Sequence, residues 1–341
     1  MRKLASIQKI ENILPIPDAD FIEMVCVLGW QCVAKKGEFK IGDLCVYFEV
    51  DSYLPVSDER YEFLRKSSYR NNEFMGEGFR IKTQKFRGQI SQGLALPVSS
   101  FPELPNTIKI DDDVTDLLNV KKWDIPEMES SVGTVIGDKP YGIPTTDETR
   151  VQSIDNLRKQ LLGKPYYIST KMDGTSCTMY YIDGKFGVCT RNNELKDDEN
   201  SPMWRYAHRN NIPEKFARYG KNIVVQGEFC GHGIQKNRLK LTTPMWYVFN
   251  VIDGDTMKLM GLDDMLEVCD KIGIAHVPIE EVEDNFNYTL PELLERARGK
   301  YPSGLDKEGI VIRPTTPEYC CDIGKSLSFK VLNNDFLVKE K

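Results

Sequence analysis

The chain has 341 residues, 45 Lys and Arg against 51 Asp and Glu, and a formal net charge of −6. Its 40 % hydrophobic and 28 % charged content is that of an ordinary globular protein, and the length suggests two domains. No apolar run approaches the roughly 20 residues of a membrane-spanning helix. The opening Met1–Ser6 lacks the apolar core of a signal peptide. Nine cysteines without a CxxC pair, beside only three histidines, argue for free thiols in a reducing, intracellular setting and against a zinc cage. Whether that setting is cytoplasmic or nuclear stays open.

The first part reads as β. Phe21–Leu28 and Trp30–Ala34, parted by Gly29, and Asp43–Val50 are short runs rich in β-formers. Gly37, Gly42 and Pro55 punctuate them closely, as in a small barrel or sandwich. Residues 61–90 carry seven basic and three acidic side chains. Within them Arg80 to Gly88 interleaves bases with Phe86, which suits either a phosphate-contacting surface or a solvated strand face. Residues 101–150 then hold eleven acids against five bases, which accounts for the whole excess charge. A net negative charge argues against a nucleic-acid partner, but the remaining residues sum to zero, so the argument applies to this stretch alone. Val114–Val120 is a short helix candidate there. Pro102, Pro105, Pro126, Pro140 and Pro144, with Gly133, Gly137 and Gly142, otherwise break the periodicity. The expected organisation is a domain over 1–125, a connector over 126–145 and a larger domain over 146–341.

The larger part mixes elements. Arg150–Leu162, Asp263–Ile272 and Pro291–Arg298 have helical spacing. Tyr166–Ser169, Thr178–Ile182, Phe186–Thr190, Ile223–Phe229, Trp246–Ile252 and Gly309–Ile312 read as strands. Without regular strand–helix alternation, the class is α+β with mostly antiparallel strands. Between the first two strands lies Ser169-Thr170-Lys171-Met172-Asp173-Gly174-Thr175-Ser176, which puts Lys171 at a strand end and allows a tight turn at Gly174. A lysine there is a nucleophile only once it has lost its proton, and nearby cations or a metal lower its pKa. Alone, the pattern is equally a hairpin turn with a solvated Lys and Asp. Further on, Val224 to Phe229 carries Glu228 on the face of Val224 and Gln226, and Tyr247 to Val251 offers Phe249. Glu308 opens another strand, and Ser328-Phe329-Lys330-Val331 brings a lysine, with Lys325 five residues earlier.

Taken in order, these segments resemble the covalent nucleotidyltransferase superfamily of ligases and mRNA capping enzymes. Its signature is K-x-D-G, a Glu strand, an aromatic strand, E-G-hydrophobic-V and a terminal lysine strand, and all five occur between 171 and 330. Lys171 to Ser176, Gly231 to Asn237 (GHGIQKN) and Ser328 to Val338 are similar to the ATP-dependent RNA ligases. Gly42 to Pro55 and Arg80 to Pro97 resemble the Naegleria-type group, in which an OB-type barrel precedes the nucleotidyltransferase domain. Two positions depart. Ser176 stands where some RNA ligases have Asn, and Ser328 stands first where the lysine strand often reads K-x-K. His232, in a glycine-rich turn, reads as a loop residue.

The resemblance implies a three-step reaction using ATP and Mg²⁺ or Mn²⁺. Lys171 forms a lysyl–AMP, AMP passes to an RNA 5′-phosphate, and an RNA 3′-OH displaces it to seal nicked or broken RNA. It implies Asp173, Glu228 and Glu308 as metal ligands, directly or through water, with Glu228 alternatively on a ribose hydroxyl. Lys330, with Lys325 as second lysine, would hold the phosphate oxygens, and Phe249 would stack on adenine. Arg191 would meet the sugar or the RNA 5′-phosphate, and Arg150 the departing pyrophosphate. A monomer acting without a membrane is expected. A capping guanylyltransferase or DNA ligase would share the lysine chemistry, but such enzymes usually carry an OB domain after the lysine strand, where only 11 residues follow Lys330. A catalytically inert nucleic-acid binder would have no need of Lys171, Glu228, Glu308 and Lys330 together.

Overall fold

The computed structural model describes residues 3–124, 133–154 and 156–339. The chain divides into two compact units, Met1–Pro126 with Val338–Lys341, and Glu127–Leu337.

The first unit is built of short antiparallel strands. Leu44–Phe48 lies between Ala5–Lys9 and Leu94–Pro97, and Ile22–Val27 between Asn12–Pro15 and Trp30–Lys35. Ser52–Pro55, Gly76–Arg80 and Tyr69–Asn72 form another sheet with Lys121–Lys122. Alternation divides the central strand's side chains between two cores. Val46 and Phe48 pack with Ile7, Leu54 and Phe79, whereas Cys45 and Tyr47 pack with Val25, Trp30 and Cys32. The hairpin Gln84–Phe86 with Gln89–Ser91 exposes Lys85, Phe86 and Arg87 at its tip.

One expectation for the acidic stretch is corrected. Val114–Val120 is not a helix. Leu118 N–H reaches Val114 C=O at 3.0 Å, but Asn119 then turns to a left-handed φ of 50°, which stops the helix after one turn. Residues 101–124 belong to the first unit, whose core Phe101, Leu104, Val114, Leu118 and Val120 complete. Of the expected 126–145 connector, residues 126–132 lie outside the described residues. Val135–Asp138 pairs with Asn193–Leu195 as a sheet edge, and Ile143 is buried.

The second unit contains two larger sheets. One has six strands in the order Val135–Asp138, Asn193–Leu195, Lys185–Cys189, Thr175–Ile182, Ile223–Cys230, Met245–Asp253. The other has five, in the order Thr149–Arg150, Phe329–Leu332, Gly309–Pro314, Tyr166–Lys171, Ile279–Glu283. Every pairing is antiparallel except Thr149–Arg150 beside Phe329–Leu332. The helices Pro202–Arg209, Ile212–Tyr219 and Leu262–Ile272 cover one face of the six-stranded sheet, in a core with Cys177, Met179, Ile223, Val225 and Phe229. Gln226 and Glu228 are left on the opposite face. In the five-stranded sheet, Tyr166, Ile168, Ile310, Ile312, Phe329 and Val331 pack with residues of the helices Asn156–Leu161 and Leu290–Arg296. That leaves Ser169, Val311, Arg313 and Lys330 on its other face. The expected helix over 150–162 is therefore broken into a strand, a single turn Val151–Ser153 and the helix Asn156–Leu161. The pair Pro202–Arg209 and Ile212–Tyr219 was not anticipated. Its signal was Ser201 before Pro202, where the Ser201 hydroxyl caps the helix by accepting from Trp204 N–H.

Candidate active site

The Lys171–Gly174 motif lies where the chain crosses from one sheet to the other. Lys171 ends the strand Tyr166–Lys171, opposite Gly309, and Thr175 begins the next strand, opposite Phe229. The crossing is tight at Gly174, where a Cβ would lie 2.4 Å from the Phe229 carbonyl oxygen and 2.7 Å from Cys230 Sγ. A side chain there would collide with the strand Ile223–Cys230, against which the crossing packs.

The polar faces of the two sheets bound a cavity of about 250 Å³, near the lower end of the roughly 300–1,000 Å³ typical of small-molecule sites. Lys171, Ser176, Arg191, Glu228, Phe249, Arg313 and Lys330 are among the residues lining it. Lys171 Nζ donates to Glu308 Oε2 at 2.8 Å. Burial opposes the charged form of this amine, but Glu308, Glu228 and Asp173 outweigh it and hold the pKa above the ordinary lysine value. The carboxylates thus favour the charged form of Lys171, opposite to the lowering that a metal or neighbouring cations would bring. Burial, with Glu308 and Asp173 nearby, pushes the Glu228 carboxyl up to about 7, against the pull of Lys171 and a bond from Gly174 N–H. Asp173 Oδ2 lies 3.4 Å from Arg238 Nε.

Lys330 shares a sheet face with the motif, because its register partner Val311 is also the partner of Ser169. Burial, with Lys171 and Arg150 beside it, pushes its amine down to about 8. Phe249 owes its position to a bulge. Gln226 pairs with Asn250 and Gly227 with Val248, so Phe249 is the extra residue on its strand. Its carbonyl accepts from Arg313 Nη1 at 2.8 Å, and the guanidinium lies 5.7 Å from its ring. Arg191 faces Asp147 across 3.4 Å, and Ser176 Oγ is 2.7 Å from Thr146 Oγ1.

Of the expected site residues, Asp173, Glu308, Lys325 and Arg150 do not line the cavity, and Glu308 reaches it only through its bond to Lys171. The Lys325 ammonium is bonded to the carbonyl of Asp147, so it does not stand in for a second lysine next to Lys330. Arg150 is the parallel register partner of Lys330 and acts on it from outside the cavity wall. His232 is exposed, as a loop residue should be. Ser328, where a second lysine was considered, is buried and accepts from Arg313 Nε at 2.9 Å.

Sequence reasoning missed the wall formed by Thr146, Asp147 and Glu148 and the buried ion pair of Glu148 with Arg313 at 2.7 Å. The signal available for Arg313 was its position, an arginine closing the apolar run Ile310-Val311-Ile312. It also missed Tyr301, whose hydroxyl donates to the Lys171 carbonyl at 2.7 Å.

Among the described residues, no three His, Cys, Asp or Glu side chains converge into a direct metal cage. The donor set, all carboxylate oxygens, nevertheless suits a hard divalent cation held through water: Glu308 contacts Lys171, and Glu228 and Asp173 act on the same amine electrostatically.

Comparison with known proteins agrees with this geometry. A family model for an OB-fold domain matches residues 4–98, and one for RNA ligase matches residues 164–332. No curated protein sequence matches the chain. Among solved structures, Naegleria gruberi RNA ligase with pyrophosphate is 35 % identical, with a TM-score of 0.87, covering 100 % of this chain and 99 % of that one. A point mutant of the same ligase with ATP and Mn, and another with AMP and Mn, are each 35 % identical with a TM-score of 0.89, over 99 % of both chains. No described helix is long and apolar enough to cross a membrane. An OB-fold domain followed by a ligase domain, matched over its whole length at this identity, places the chain in the RNA ligase family.

Proposed function

We propose that this RNA ligase uses ATP and a divalent cation to join an RNA 3′-OH to an RNA 5′-phosphate, with Lys171 as the covalent nucleophile. The observation that carries the assignment is Lys171 Nζ, 2.8 Å from Glu308, on the wall of a cavity that also presents Lys330 and Phe249. The Naegleria gruberi ligase structures with ATP and Mn support the choice of nucleotide and metal.

In the first step the Lys171 amine bonds to the α-phosphorus and the bond to the pyrophosphate oxygen breaks. The ammonium must first lose its proton and its hold on Glu308. A bound Mg²⁺ or Mn²⁺ would neutralise phosphate charge and offset the carboxylates that keep Lys171 protonated. Asp173, Glu228 and Glu308 would hold the cation through water, and Glu228 could instead bind a ribose hydroxyl. Lys330 would neutralise the equatorial oxygens as phosphorus becomes five-coordinate. Phe249 would stack on adenine, its backbone fixed by Arg313. In the second step AMP leaves Lys171 for the RNA 5′-phosphate, and Arg191 would meet that phosphate once released from Asp147. In the third the RNA 3′-OH attacks and AMP departs.

RNA would meet the first unit at the exposed tip bearing Lys85, Phe86 and Arg87, where bases and an aromatic side chain suit phosphate contact and base stacking. We further propose that the protein acts as a monomer, and that its nine thiols fit an intracellular setting.

Labelled ATP with a divalent cation should leave an acid-labile label on denatured wild-type protein and none on Lys171→Ala. An equal label on the variant, or labelling by GTP in place of ATP, would refute the assignment. Sealing of nicked duplexes with 3′-OH and 5′-phosphate ends, compared with ends lacking the phosphate, tests the substrate. Mass measurement in solution tests the monomer.

A further inference from the structure

The strand of Lys171 and the strand that follows Glu308 run side by side only as far as the pair Lys171–Gly309. Beyond it the first chain turns through Met172, Asp173 and Gly174 into the other sheet. The second arrives from the loop between Gly299 and Lys307. Tyr301, on that loop, is buried under this parting point. Its hydroxyl donates to the Lys171 carbonyl at 2.7 Å and accepts from the Glu308 N–H at 3.1 Å. A hydroxyl can do both at once, because it carries one donor and two acceptor positions.

The loop that delivers Tyr301 is anchored on several sides. Tyr301 N–H donates to the Leu305 carbonyl, and Lys307 N–H to that of Gly299. Lys307 Nζ lies 2.7 and 2.8 Å from the two oxygens of Glu280, which also accepts from Thr170 Oγ1 and Arg296, each at 2.7 Å. Ser303 Oγ donates to the carbonyl of Arg238, whose side chain faces Asp173. The same loop therefore touches the backbone of Lys171, of Glu308 and of the residue that pairs with Asp173. Nothing in the loop enters the cavity, so its influence on chemistry passes through the backbone.

We propose that Tyr301 is a positioning residue for lysine adenylylation. Its hydroxyl would tie the nucleophile's carbonyl to the amide of Glu308 and so fix where Lys171 Nζ stands relative to the carboxylates and the incoming α-phosphorus. The proposal rests on Lys171 being the nucleophile. Attack in line on phosphorus tolerates little misplacement, and an error of about 1 Å can cost on the order of a hundredfold in rate.

The test is single-turnover formation of lysyl–AMP by the full chain with ATP and Mn²⁺, comparing wild type with Tyr301→Phe. The ring stays and only the hydroxyl goes. At saturating ATP the first-order rate is expected to fall between about tenfold and a hundredfold. The fraction of protein labelled and the half-saturating ATP concentration should be unchanged. Tyr180→Phe, which loses a 2.6 Å bond from a tyrosine hydroxyl to Glu194 away from Lys171, should keep the wild-type rate. An unchanged rate in Tyr301→Phe would overturn the proposal. So would a smaller labelled fraction at the wild-type rate, which marks a merely structural role, or weaker ATP saturation alone. Equal slowing in Tyr180→Phe would overturn it too. If Tyr301→Phe fails while wild type labels normally, the assignment of Lys171 survives. Absence of lysyl–AMP in the wild type would overturn both.

Discussion

Replacing Glu228 by glutamine should make the catalytic unit more stable, and progressively so as pH rises. Burial and the neighbouring Glu308 and Asp173 push the Glu228 carboxyl from 4.5 up to about 7. An acid whose folded pKa exceeds its unfolded value holds its proton more firmly in the native state. Native protein then binds more protons than unfolded protein between the two values, so stability declines as pH rises from about 4.5 to about 7 and the penalty is complete above that. A shift of about 2.5 units at 1.36 kcal/mol per unit gives roughly 3 kcal/mol. Glutamine keeps the shape and remains neutral, so it avoids the penalty. Urea unfolding of both proteins from pH 5 to 8.5, without nucleotide or metal, reads the difference directly. The advantage of Glu228→Gln should grow by roughly 3 kcal/mol across that range. A difference that stays flat with pH, or one that turns toward the wild type as pH rises, would refute the reasoning. The same variant should lose lysyl–AMP formation, which would mark the buried carboxylate as a group kept for function at the expense of stability.

Gly174→Ala should cost about 1–3 kcal/mol of stability and most of the adenylylation rate, since the added methyl meets the Phe229 carbonyl oxygen at 2.4 Å. Gly137→Ala, with nothing within 4 Å of its Cβ, should change neither. ATP binding near pH 8 should take up protons, because Lys330, pushed down to about 8, is then only partly charged and phosphate favours its charged form. Calorimetry in buffers of different ionisation enthalpy should show this, and Lys330→Gln should take up fewer protons than the wild type. Phe249→Leu should raise the half-saturating ATP concentration several-fold, with a smaller effect on the rate at saturation, if the ring stacks on adenine.

The placement of the motif residues was legible in local patterns, and the chemistry only in their resemblance to a family when taken in order. Lys171 to Gly174 is a strand end followed by a turn, and that combination is set by four adjacent residues. Alternation assigned Glu228 to the face of Val224 and Gln226, and Lys330 was visible only as a lysine within a strand. The helix Leu262–Ile272 was equally readable from its apolar period. Where sequence reasoning failed, the missing information was long-range. Val114–Val120 read as a helix because its local pattern allows one turn, whereas its actual path depends on Phe101, Leu104 and Val114 finding a core made elsewhere. Lys325 and Lys330 are both lysines near one strand, yet the tertiary fold alone sends one to the cavity and the other to the Asp147 carbonyl. The charge state of Lys171 was beyond the sequence for the same reason, since it depends on Glu308, 137 residues away. Tyr301 belongs in this class as well, because its one relevant act is to bridge two backbone groups that only folding brings together. Thus the sequence by itself determined which side chains are available and which face of each strand carries them. The tertiary structure decided which of them meet, because contacts across two sheets depend on register and crossing turns that no local pattern encodes.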